Sequence, residues 1–277
     1  MKKFFDSCGM GTLLFLVFFH TSCNSDSEEI LQEPDLTIVN DDYFISKVFE
    51  DLDNITLTAL NNSGLGVRMT EDISITEICA TAKASLDETG KKIIIDFGTG
   101  CTGTNGITRK GKVLLSYSGN LIFPGAKVVT NFDEYEVNGR KIEGIRTITN
   151  TGINLATGSV SFAVKMENGK ITWPDDTFVT LVNNQVRVVK LGGEGYEASI
   201  TGTASGKSRD GIDYQTNVID ALVIKQTCVE TGVWVPGLGT LQFLFAGIEV
   251  TVNYGIGICD KIVTITYPGG SKEVTLD

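Results

Sequence analysis

The 277 residues carry 42% hydrophobic and 21% charged side chains, near globular averages, which excludes wholesale disorder and allows a packed core. The formal net charge of −11, with no local Lys/Arg cluster, excludes nucleic acid as a partner, because a phosphate backbone needs a basic footprint. Glycine at 31 residues against proline at 5 suits many tight turns between strands, in one large β domain or two merged ones.

Lys2 and Lys3 precede an apolar run of ten residues, Met10 to Phe19. A span of the bilayer needs ~20 residues, so this run reads as the core of an export signal over residues 1–22. Thr21 and Ser22 then lead into Cys23, which resembles the lipobox of bacterial lipoproteins, although His20 stands where those proteins prefer an aliphatic residue. The resemblance implies that Cys23 is acylated and becomes the new amino terminus. Each buried CH₂ of such acyl chains contributes ~0.8 kcal/mol, so two or three chains hold durably. Cys8 precedes the apolar run and cannot take this role; an ordinary secretory signal with an incidental Cys23 is the alternative. Residues 23–40 read as the lipidated cysteine and an acidic tether. Asn24, Ser25, Asp26, Ser27, Glu28 and Glu29 resemble the Ser-plus-acid stretch of Bacteroidota lipoproteins sent to the outer face of the outer membrane. The expected location is therefore the outer membrane, on the cell-surface side, with the periplasmic face as the alternative. Loss of residues 1–22 removes two lysines and one aspartate and leaves a net charge of −12.

Four cysteines then remain, Cys79, Cys101, Cys228 and Cys259, and an even number in an exported chain reads as two disulfides with three connectivities open. Sequence locality favours Cys79 with Cys101 and Cys228 with Cys259. Zinc is a poor rival, since no pair has C-x₂-C spacing. His20 is the only histidine and leaves with the signal, so a mature chain has neither a histidine base nor a His-ligated metal. No catalytic motif, metal site or cofactor is expected.

Residues 41–277 read as the folded body. Asp41 can cap a helix whose apolar positions Phe44, Val48, Leu52, Ile55 and Ala59 recur at steps of three and four, ending at Asn61 to Gly64. From about Ile73 the period becomes two. Val160, Phe162, Val164 and Met166 alternate with smaller or polar residues, as do Ile248, Val250, Val252 and Tyr254, which predicts antiparallel strands with one dry face. Turn signals fall at Thr89-Gly90, Asn138-Gly139, Asn150-Thr151-Gly152, Asn168-Gly169, Asn183-Asn184 and Gly269-Gly270. The segments Pro174 to Asp176 and Val235 to Gly239 read as longer loops. Asn105 to Gly119 and Asn138 to Gly152 share a turn, a basic pair, a glycine and a strand, by duplication or by convergent hairpin chemistry. The fold class is mainly β: a large antiparallel meander forming a curved sheet, half-barrel or sandwich, with one amino-terminal amphipathic helix and a subdivision near residues 192–195.

The stretches IDFGTGC (Ile95 to Cys101), TRKGKVLLSYSG (Thr108 to Gly119), FDEYEVNGRKIEGIRTITN (Phe132 to Asn150) and GICDKIVTITYPGG (Gly257 to Gly270) resemble a family of uncharacterised Bacteroidota lipoproteins over most of the mature chain. That resemblance implies an envelope location and an all-β body, and it supplies no site.

The residue patterns that could carry chemistry have plainer readings. Ser208-Arg209-Asp210-Gly211-Ile212-Asp213 lacks the further ligands of a calcium loop and fits a hairpin turn. Asp175, Asp176 and Glu167 read as loop solvation rather than a glycosidase pair. Gly98, Gly100 and Gly103 fit a bend beside a disulfide better than a phosphate cradle. Trp173 and Trp234, with Tyr254, are the candidate ligand contacts, as a sugar-stacking platform, against the alternative of core packing. The expected role is structural or ligand-binding on a membrane anchor. A half-barrel carrier of an apolar ligand, or a histidine-free carboxylate glycosidase, are the alternatives.

Overall fold

A computed structural model describes residues 34–60, 63, 72–73, 78–193 and 195–276. The chain divides into two compact units, Met1–Leu31 and Gln32–Asp277, and every element below belongs to the second. The signal segment, Cys23 and the acidic stretch lie outside the described residues.

Helix α1 spans Thr37–Leu60, starting five residues earlier than a cap at Asp41 would place it. Asp35 supplies the starting acceptor instead, taking hydrogen bonds from the Thr37 N–H at 2.9 Å and its hydroxyl at 2.7 Å. Asp41 is buried within the helix. The expected apolar stripe is present, with Leu52, Ile55 and Ala59 at most 1% exposed. Burial also takes in the successive residues Asp51, Leu52 and Asp53, and at about 100° per residue that arc exceeds half the circumference. The sheet must therefore curl around the helix.

The sheet is the expected antiparallel meander. Its strands are β1 (Asp72–Ile73), β2 (Lys83–Asp87), β3 (Lys92–Asp96), β4 (Cys101–Thr102), β5 (Thr108–Tyr117), β6 (Lys127–Val137), β7 (Arg140–Asn154) and β8 (Ser159–Thr172). They continue with β9 (Phe178–Gly192), β10 (Gly195–Lys207), β11 (Asp213–Lys225), β12 (Leu238–Phe245), β13 (Ile248–Ile256), β14 (Ile262–Tyr267) and β15 (Gly270–Thr275). A second short helix, α2 (Gln226–Glu230), was not legible in the sequence and carries Cys228. Pairing runs in chain order from β1 to β15, with β4 aside on β5, and the two end strands leave the sheet open. Gly192 pairs with Gly195, so the ladder runs unbroken through the suspected subdivision. Both disulfides follow sequence locality, Cys79–Cys101 and Cys228–Cys259.

Three of the turn signals act inside strands. Asn150 to Gly152 and Asn168-Gly169 sit at register shifts of the β7–β8 and β8–β9 ladders, and Asn183-Asn184 continues β9. A bulge needs the same left-handed conformations as a turn, and Asn168 has φ 51°. The two similar segments repeat this device. Gly111 and Gly144 stand six residues after Asn105 and Asn138, each at a ladder shift and each with positive φ. A Cβ on Gly111 would lie 2.0 Å from the Glu134 carbonyl oxygen, so only glycine lets the strands approach.

Strict up-and-down order puts the hairpin turns on two rims. Asp41 beside Arg209 and Phe44 against Trp173 place the start of α1 at the rim holding the β6–β7, β8–β9, β10–β11 and β12–β13 turns. The opposite rim holds the β5–β6, β7–β8, β9–β10, β11–β12 and β13–β14 connections.

Candidate functional site

The helix-facing side of the sheet is held by arginine. The chain has six arginines, and the five among the described residues all meet α1. Arg109 on β5 forms a two-pronged pair with Asp51, its Nε at 2.9 Å, with both side chains about 1% exposed. Arg146 on β7 donates to both Asp53 oxygens at 2.9 and 2.8 Å. Arg187 on β9 joins Asp53 at 2.9 Å and Glu50 at 2.7 Å. Arg140 stacks over Phe44 at 4.2 Å, and Arg209 lies over Trp173 at 4.8 Å. Planar guanidinium forks suit this work, since they satisfy both carboxylate oxygens and still lie flat on rings.

Near the start of α1 the balance is less complete. Asp41 Oδ1 is 3.9 Å from Arg209, beyond hydrogen-bond reach, and burial holds its carboxyl up at about 6. Burial and then the charge of Asp41 push Asp42 up to about 7 from an ordinary 3.8. These folded values lie above the unfolded ones, so between pH ~4 and ~7 the unfolded chain releases protons that the fold retains, and stability falls as pH rises. Asp42→Asn should therefore raise stability by about 1–3 kcal/mol at pH 8 and leave it unchanged at pH 4, read as paired urea midpoints.

Little space remains under the helix. A void of about 60 Å³ lies under the helix, lined by Phe49, Leu181, Trp234 and Tyr254 as well as Arg146 and Arg187, and a cleft of about 200 Å³ lies between Phe44, Val48 and the β6–β7 hairpin. Both fall short of the ~300 Å³ at which ligand pockets begin. The roomier features are open clefts of about 810 and 500 Å³ that share Ser205, Gln215 and Leu244. Those three residues alternate with Gly206, Tyr214, Thr216, Phe243 and Phe245, of which all but the half-buried Gly206 are buried, so the clefts lie on the face away from α1. Across that face runs a cross-strand row of Asn184, Thr203, Asn217, Gln242, Thr251 and Thr266, each directly opposite the next. Its hydroxyls and amides can donate and accept at the ~4.8 Å strand spacing.

The residues singled out from the sequence fall apart in space. Trp173 is 8% exposed, with its ring taken up by Phe44, Arg140 and Arg209. Trp234 borders the small void under the helix, and buried Tyr254 joins it there. Asp175 serves its own turn, accepting from Thr177 and from Arg209 at 2.9 Å. Asp210 and Gly211 form the β10–β11 turn. The four body cysteines are consumed by the two bridges. What the sequence reading missed is the arginine seam. Its signal was present: Asp51 and Asp53 flank Leu52 on the oily side of α1, and Arg146 shares a strand face with Ile148. No family model, curated protein or solved structure matches the chain.

Proposed function

We propose that this chain is an exported lipoprotein of the outer membrane, anchored through Cys23, whose body is a binding component displayed at the cell surface, with the open clefts over β9–β12 as its binding face. One observation carries the reading of the body. Its interior is filled by its own ion-paired helix, whereas its largest spaces open on the other face. That arrangement favours surface binding over carriage of an apolar ligand inside. Among the described residues Glu50, Asp51 and Asp53 of the helix are already neutralised by arginine, which takes these three out of a glycosidase pair. The mixed amides and hydroxyls of the cleft suit an uncharged, hydroxyl-rich ligand such as a glycan.

The test has two arms. Intact mass of the mature protein should show fatty acyl chains on Cys23, and protease added to intact cells should remove the body; an unacylated Cys23 sinks the anchor, and a protected body sinks display. A glycan and lipid screen on the Gln32–Asp277 unit should give hits that Asn217→Leu with Gln242→Leu weakens about tenfold, the size of one or two lost hydrogen bonds. Hits indifferent to that pair would move the binding face elsewhere.

A further inference from the structure

We propose that the rim opposite the start of α1 is a bilayer-contacting edge, whose hairpin loops insert apolar side chains into the interfacial region of a lipid membrane. This goes beyond the cleft and rests on the envelope reading only for which membrane is met.

The distribution of exposed apolar side chains carries the inference. Large aliphatic or aromatic residues stand exposed on both rims, but unequally. At the start-of-helix rim they are Phe178, Ile212 and Leu244, none more than half exposed. At the opposite rim they form two groups. The first joins Ile122 and Phe123 of the β5–β6 loop with Ile153 and Leu155 at the β7–β8 turn, Leu155 being 90% exposed. The second joins Leu238 with Ile256, Ile258 and Ile262 around Cys259, Ile256 being 85% exposed. Side chains this large in a soluble body are ordinarily scattered, and their gathering at one end marks a contact surface.

The loops are also built to be held out. Asn150, 1% exposed, donates from Nδ2 to the Leu121 carbonyl at 2.9 Å. Its backbone N–H meets the Ala126 carbonyl, and its own carbonyl accepts from Gly125 at 2.8 Å. The β5–β6 loop is thus pinned to β7, with Ile122 and Phe123 projecting beyond it. On the other side, the Cys228–Cys259 bridge ties the β13–β14 connection to α2.

A bilayer fits these features better than a protein partner. Residues 118–126 and 153–158 contain no charged side chain, although the mature chain has a net charge of −12. The start-of-helix rim carries Asp175, Asp176, Arg209 and Asp210 in its turns, whereas on the opposite rim the charges lie outside these two loops, among them Glu88 and Lys91 of the β2–β3 turn and Asp260 and Lys261 between Ile258 and Ile262. The two apolar groups are separated along the rim by strands β9 to β11, at ~4.8 Å per strand. One flat apolar phase can receive both at once, whereas a compact protein pocket receives one.

The experiment uses the Gln32–Asp277 unit, which holds the whole core and both disulfides and has no acyl chain. In flotation it should travel with phosphatidylcholine and phosphatidylethanolamine vesicles, and no better when a third of the lipid is phosphatidylglycerol. Phe123→Ser with Leu155→Ser should lower the vesicle-bound fraction at least about tenfold, while Phe178→Ser on the other rim leaves it unchanged. Phe123→Trp should shift its emission to the blue on vesicles and be quenched by brominated lipid. Failure to float, an equal loss from Phe178→Ser, or a dimer that the Phe123 and Leu155 changes dissolve would each overturn the proposal. Acylation of Cys23 is read separately by intact mass, so failure of one reading leaves the other measurable.

Discussion

Arg109→Ala is expected to cost the fold about 3–5 kcal/mol in guanidinium unfolding, the usual penalty for stripping one partner from a buried ion pair. Both side chains of the Arg109–Asp51 pair are about 1% exposed, so water cannot replace the lost guanidinium. Asp51 would then be left as a buried carboxylate with no cation. The cost belongs to the stranded charge and not to the pair itself, which a double variant separates. Asp51→Leu with Arg109→Met removes both charges at similar volume and should recover most of the loss, with a coupling of several kcal/mol in the cycle. A loss below about 1 kcal/mol for Arg109→Ala would mean that the pair does not form as described.

The same cycle bears on function. A helix held only by its oily stripe could slide or lift to admit an apolar guest, because hydrophobic contact is non-directional. Two-pronged bonds to Asp51 and Asp53 from Arg109 on β5 and Arg146 on β7 fix the rotation and the axial position of α1 together. Each register shift would strand a buried charge. The helix is therefore part of the scaffold, and ligand recognition falls to surfaces outside it.

Much of this architecture was legible in the sequence because periodicity reports burial. The alternation around Val160 to Met166 and Ile248 to Tyr254 marks real strands, and the spacing of Leu52, Ile55 and Ala59 marks the real helix face. Local chemistry reports only backbone conformation, and there it misled. Asn168-Gly169 demands a left-handed residue, which a bulge satisfies as well as a turn does, and long strands such as the fourteen-residue β8 need bulges to curl around a helix. The cleft and the apolar rim were not legible at all. Both are sums over strands: Asn184, Thr203 and Asn217 become neighbours only through register, and Phe123 and Leu155 only through topology. Trp173 shows the converse error, a residue type that suggests ligand stacking yet is occupied by Phe44 and two arginines of its own chain.

Removing the Cys228–Cys259 bridge as a pair of serines should lower stability by about 3–4 kcal/mol and the thermal midpoint by about 10 °C. The estimate follows from the 31-residue separation that the bridge closes in the unfolded chain. The Cys79–Cys101 bridge spans 22 residues, and loop entropy alone makes the two differ by only a few tenths of a kcal/mol. A larger difference must come from the folded side. The 228–259 bridge is expected to show one, because its loss frees the β13–β14 connection that carries Ile258 and adjoins Ile256 and Ile262. Calorimetry on the two double-serine variants, with flotation on the same neutral vesicles, distinguishes the contributions. Equal midpoint losses with unchanged flotation would make the bridge a staple of the unfolded state only. A greater loss for Cys228→Ser with Cys259→Ser, together with weaker flotation, would show that it also holds one half of the apolar rim in position.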